Sequence, residues 1–168
     1  MKAAPLIVSG ETPLVAFVSS VMDAEMAGAR GIAVATLTKT SFLVPWAFEY
    51  TPASPDSPVD TYLSKVRSAD IFIWLVGRRT SAAVVREVQA AIAAGRPTFV
   101  FVLDKQFDDE TRDLLERVRT AVKYSRVDLE GLAVAVELSV ADHIVRTMRS
   151  ARTLSRTASF GTCLETWS

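Results

Sequence analysis

Between Asp70 and Gly77 runs Ile71-Phe72-Ile73-Trp74-Leu75-Val76, and these six apolar residues constrain the fold more than any other stretch of the chain. An unbroken apolar run bounded by turn formers fits a strand buried on both faces, the situation of a central strand in a parallel sheet. Such a sheet needs helices on each side, so the flanking sequence has to alternate strand and helix. The same logic fixes the functional end, because ligands of open α/β sheets gather beyond the carboxyl ends of the strands. Arg78-Arg79-Thr80-Ser81 and a helix carrying Glu87 follow directly from this one.

The alternation is present. Residues 13–20 form a short apolar run that ends in Ser19 and Ser20, and an Ala-rich segment of helical length follows over 24–38. Ser20 with Asp23 resembles a capping box for that helix. A second strand is expected over 41–48, where Pro45 argues for an edge position because it has no N–H to give a ladder. Glu49 to Asp56 is a polar, proline-rich loop, and Ser57-Pro58-Val59-Asp60 is a helix start with Val59, Tyr62, Leu63 and Val66 on one face. After the central strand, Thr80 or Ser81 caps a helix to about Ala94, stopped by Gly95-Arg96-Pro97. A buried strand over 98–104, an acid-led helix to about Arg119, a short strand over 121–127 and a long amphipathic helix from Asp128 to about Arg152 complete the order. The expected fold class is therefore α/β: a single flavodoxin-like, three-layer domain over 13–152 with a five-stranded, mostly parallel sheet. Residues 1–12 read as an N-terminal arm, and 153–168 as a polar, flexible tail.

Composition narrows the function classes. With 19 basic and 19 acidic residues in 168, overall charge gives no reason to expect nucleic acid as the main partner. No apolar run approaches the ~20 residues of a membrane span. One cysteine, Cys163, allows no internal disulfide, and the first residues lack the basic region and apolar core of a signal peptide, so a cytoplasmic setting is expected. A single histidine, His143, gives no basis for a His/Cys metal site, and none is expected. The glycine fingerprints of dinucleotide and P-loop folds are absent.

Glu87 is the main candidate for chemistry. At ~100° per residue, Val84, Val85, Val88, Ala91 and Ile92 define a buried arc, and Glu87 falls on its flank beside Ala83, Ala90 and Ala94. A carboxylate there can face a cleft; the plain alternative is a surface glutamate beside Arg86 or Arg79. Ser19 and Ser20 end the first strand, next to the central one, so their hydroxyls are expected at the same crevice, although Ser20 can equally serve as a helix cap. Gly77, Arg78 and Ser81 follow the central strand and join the candidate ligand-binding set. Glu49, at the end of the second strand, is a second carboxylate candidate, since glycosidic chemistry commonly uses two. Arg146, Arg149 and Arg152 recur every three residues on the last helix, where cations complement the helix dipole.

Four motifs carry a family resemblance: F-V-S-S at 17–20, A-F-E-Y at 47–50, S-A-D-I-F-I-W-L-V-G at 68–77 and R-E-V-Q-A-A-I-A-A-G-R-P at 86–97. Together they resemble a bacterial domain-of-unknown-function family related to Toll/interleukin-1 receptor (TIR) domains and nucleoside deoxyribosyltransferases, over about residues 14–150. The resemblance implies a TIR-like fold and a catalytic glutamate at Glu87, which stabilises or attacks the sugar carbon as a base departs. It implies that Ser19 and Ser20 contact ribose or phosphate. NAD or another nucleotide would then be a substrate or ligand, and no separate cofactor is expected. Arg78-Arg79-Thr80 stands where the family commonly has a tyrosine-glycine pair, and the D-x-G-T-x-x-E pattern of deoxyribosyltransferases is missing. The competing reading is a non-catalytic module that senses a nucleotide or self-associates as a homo-oligomer through its edge strand or last helix.

Overall fold

A computed structural model describes residues 12–47 and 57–164. Five strands, β1 (Leu14–Ser19), β2 (Leu43–Trp46), β3 (Ile71–Val76), β4 (Thr98–Val102) and β5 (Tyr124–Arg126), alternate with five helices. The helices are α1 (Ala24–Thr38), α2 (Pro58–Ser68), α3 (Ala82–Ala93), α4 (Asp109–Val118) and α5 (Leu129–Leu164). All four strand pairings are parallel, in the order β2-β1-β3-β4-β5. This is the flavodoxin-like arrangement expected from the alternation, with β3 at the centre and the Pro45 strand at the edge.

Side-chain parity explains the layers. Ile71, Ile73 and Leu75 of β3 join one core with α1 and α5, packing with Ala29, Ala33, Leu132 and Val136. Phe72, Trp74 and Val76 point the other way, to Val66 of α2, Val84 and Val88 of α3, and Leu114 of α4. Successive side chains on a strand alternate faces, so an apolar run without gaps feeds two cores at once. On β1 the same alternation sends Ala16 and Val18 to the α1/α5 side and Phe17 to the α2/α3 side, where its ring stacks on Trp46 at 4.6 Å and Phe72 at 5.6 Å. Ser19, two residues after Phe17, therefore shares the α2/α3 face.

Several boundaries differ from those expected, each for a local reason. Asp23, not Ser20, caps α1, its carboxylate accepting from the Met26 backbone N–H at 2.9 Å. Ser57 occupies the N-cap of α2 without a side-chain cap bond, and Pro58 opens the helix instead. β5 shrinks to three exposed residues, because residues 121–123 turn away before pairing begins at Val100↔Tyr124. The last helix does not stop near Arg152 but runs to Leu164. Ser and Thr each disfavour helix by only a few tenths of a kcal/mol, and no proline interrupts that segment. Gly95, with φ +65°, closes α3 as expected of a C-terminal glycine.

The two-core arrangement predicts unequal sensitivity along α5. Leu132, fully buried against the sheet, is expected to cost about 2–5 kcal/mol of unfolding free energy when replaced by alanine. Leu129, half exposed at the helix start, should change it by less than about 1 kcal/mol. Chemical denaturation of the two variants checks the contrast.

Candidate functional site

The carboxyl end of β1, Ala47 just after β2 and the first turns of α3 border a cavity of about 420 Å³, within the range of small-molecule sites. Phe17, Ser19 and Ser20 line it from β1, Arg30 from α1, Tyr62 from α2, and Ser81, Ala83 and Glu87 from α3. Its walls are mainly apolar, with a few convergent polar groups.

Glu87 is 7% exposed. It belongs to the buried face of α3 with Val84, Val88 and Ala91, so that face is rotated toward Glu87 relative to the expected arc of Val84, Val85, Val88, Ala91 and Ile92. This overturns the surface reading: neither Arg86 nor Arg79 pairs with it, and Arg79 instead approaches Asp23 at 3.5 Å. The polar partner of Glu87 is Ser19, whose hydroxyl donates to Oε2 in a short hydrogen bond. The pairing follows from the fold, since β1 parity points Ser19 at α3 and helical period turns Glu87 back toward the strand. Burial pushes the Glu87 carboxyl up from 4.5 to about 7, and the Ser19 hydrogen bond pulls in the opposite direction, by less.

Ser81 both lines the cavity and caps α3, accepting from the Val84 N–H at 3.3 Å. Ser20 is held by Arg30, whose guanidinium donates to Ser20 Oγ at 3.2 Å and to the Val21 carbonyl at 2.6 Å. Arg30 is a buried residue of the site that the sequence reading passed over. A signal existed: Arg30 follows Met26 by four positions and Ala29 by one, on the face of α1 that is otherwise apolar.

The structure does not bring Gly77 and Arg78 into this cavity. Gly77 lies against α1, where a Cβ would come within 2.6 Å of Met26 Sδ, so its lack of a side chain serves packing. Arg78 is exposed, and its carbonyl accepts from the Asp108 N–H at 3.0 Å. Glu49 lies outside the described residues. His143 packs its ring edge-on to Phe99 with centroids 5.7 Å apart, well away from Glu87 in the fold. Among the described residues no cluster of three or more His, Cys, Asp or Glu is arranged to hold a metal, and no helix is long and apolar enough to cross a membrane.

The model of a family described as a domain of unknown function, DUF4062, matches residues 15–150. The chain belongs to this family. Among solved structures, the DUF4062 chain is similar to a conserved protein from Enterococcus faecalis V583, with a TM-score of 0.50 and 13% identity over 77% of this chain and 99% of that one. It is also similar to a chain from the RPS4 and RRS1 TIR domain heterodimer, with a TM-score of 0.51 and 9% identity over 77% of this chain and 96% of that one. At such identities the likeness is one of fold, and the fold is TIR-like. No functionally curated protein gives a significant match.

Ionisation of Glu87 makes stability depend on pH with a definite sign. Its folded value, about 7, lies above the unfolded value near 4.5, so between them the unfolded chain releases a proton that the folded one keeps. The stability contributed by neutral Glu87 is complete below about 4.5 and is lost as pH rises to about 7. The loss is on the order of 3 kcal/mol. Denaturation curves at pH 5 and 7.5 should show this decrease in the natural chain and not in Glu87→Gln. Ser19→Ala, lacking the donor that favours the carboxylate, should move the end of the decrease to higher pH.

Proposed function

We propose that the Glu87 cavity binds NAD or a related nucleotide and that Glu87 assists cleavage of the N-glycosidic bond. The observation that carries this reading is a buried carboxyl with a raised proton affinity, anchored by a strand serine, at the ligand-binding end of a parallel sheet. In the proposed reaction the C1′–N bond breaks and its electron pair leaves with the base. The positive charge developing at C1′ is stabilised by the Glu87 carboxylate, electrostatically or as a transient ester, and water adds to C1′ with loss of a proton. Glu87 is the one carboxyl residue among those lining the described cavity. That favours a leaving base that already carries positive charge, as nicotinamide in NAD does, because it departs neutral without a proton donor.

In this reading Ser19 aims the carboxylate, Ser20 and Ser81 offer hydroxyls to ribose, and Arg30 places positive charge beside a phosphate. Glu49 belongs to the proposal by its sequence motif alone, as a second carboxyl for substrates whose base leaves less readily.

Purified chain incubated with NAD and with a panel of nucleoside monophosphates, followed by chromatography of the released base, tests the proposal. Base release from at least one of them is expected, reduced by about a hundredfold or more in Glu87→Gln. Because the carboxylate is the working form, kcat/KM should rise with pH and level off above about 7. Base release that survives Glu87→Gln unchanged would remove this residue from the mechanism.

A further inference from the structure

At the amino ends of β4 and β5, opposite the Glu87 end of the sheet, lies a second cavity of about 520 Å³. It shares no lining residue with the first. Its origin is the packing of the last helix. α5 lies along α1, over the middle of the sheet, and β5 at the sheet's edge is three exposed residues long. Phe99 and Phe101 of β4 line the space between. Ser125, the register partner of Phe101, brings a hydroxyl rather than an apolar group to the same face.

Three separate segments bring polar groups to this cavity. Arg96 stands in the turn before β4, Lys123 directly precedes β5, and α5 supplies Ser139, Asp142, His143 and Arg146. Positions 139, 142, 143 and 146 are spaced i, i+3, i+4 and i+7, one face of the helix, beside the buried stripe of Leu132, Val136 and Val140. Charge on the walls is one-sided. Arg96, Lys123 and Arg146 meet one carboxylate among the lining residues, Asp142, which is already paired with Arg146. Neither Arg96 nor Lys123 makes an ion pair among the described residues. Nor is the Arg96 guanidinium taken up in closing α3, because the carbonyls of Ala90, Ala91 and Ile92 accept from the backbone N–H groups of Ala94, Arg96 and Gly95. Its Nε is buried with no hydrogen-bond partner among the described residues, a donor awaiting an acceptor.

We propose that this cavity binds a small phosphate monoester, its oxyanion held by Arg96, Lys123 and Arg146 and its organic part lying along Phe99. Three cations less one carboxylate leave two positive charges in excess, which matches the roughly −2 charge of a phosphate monoester at neutral pH better than the single charge of a carboxylate. Guanidinium groups offer phosphate oxygens paired N–H donors, and an ammonium adds a compact charge. Ser125, Ser139 and a ring N–H of His143, which imidazole carries in either protonation state, extend the donor set. A bare phosphate would fill only a small part of the cavity, and Pro97, Phe99 and Val122 give the remainder an apolar wall. The inference does not rest on the proposed activity, since the two cavities lie at opposite ends of the sheet.

His143 is the only histidine in the 168-residue chain, so the proton on its Cε1 gives one NMR line that reports on this cavity. Titration of the untagged chain at constant pH with phenyl phosphate, inorganic phosphate and benzoate tests the proposal. A saturable shift of that line is expected with phenyl phosphate, half-saturated at a lower concentration than with inorganic phosphate, and benzoate should bind more weakly than the ester. Inorganic phosphate that saturates at the same concentration as the ester supports the oxyanion site and makes the free ion its occupant. Arg96→Gln and Lys123→Gln should each raise the half-saturating concentration of phenyl phosphate about tenfold or more. Lys123 is exposed, so its variant should keep the melting temperature of the natural chain. A shift that does not saturate, and that sodium chloride reproduces at equal ionic strength, overturns the proposal. So does benzoate binding as tightly as the ester, or saturable binding that Lys123→Gln and Arg96→Gln leave unchanged.

Discussion

A strand that carries large apolar side chains on both faces has to be covered twice. That requirement on Ile71–Val76 accounts for most of the architecture. Three residues of β3 turn to α1 and α5 and three to α2, α3 and α4, and each set is worth several kcal/mol of burial. The crossovers that bring helices to both faces also keep every strand parallel, so all five carboxyl ends lie on one side of the molecule. The site is a product of this geometry. It forms where β1 ends, beside the residue that follows β2, and α3 begins above them.

Within that frame the Glu87 carboxyl is an expensive residue. Taking a carboxylate out of water is unfavourable unless it is paired or protonated, and among the described residues the Ser19 hydroxyl meets it. A chain selected only for stability would gain from a leucine or methionine at that position. The raised proton affinity is the physical signature of the cost, and such signatures concentrate at functional sites. Arg30 lies across the cavity, a buried guanidinium that donates to Ser20 and to the backbone carbonyls of Val21 and Asp23.

Much of this was legible in the sequence, because it depends on periodicities. The unbroken apolar run of Ile71–Val76 marked the central strand, the alternation of strand and helix gave the sheet its expected order, and the proline in Leu43–Trp46 gave the edge. Ser19, Ser20, Ser81 and Glu87 were placed at one crevice from their positions at strand and helix ends, and they do line one cavity. Other features depend on tertiary detail that no local pattern contains. The rotation of α3 that buries Glu87 is set by packing against the sheet and α2. Gly77 and Arg78 follow the right strand, yet a contact with α1 takes up the first and solvent takes the second. Arg30 was obscured by the rule that charged residues face water. The last helix was expected to end too early because Ser- and Thr-rich composition looks like a tail, although it opposes helix only weakly.

The Ser19–Glu87 hydrogen bond joins a strand to a helix through a group that can gain or lose a proton near neutrality. Below about pH 7 a proton neutralises the buried carboxylate. A cation entering the same space would do so in its place, and the proton would leave. Occupancy and acidity are then two descriptions of one equilibrium: a positively charged guest is held more tightly as the solution becomes more basic, and each binding event releases acid.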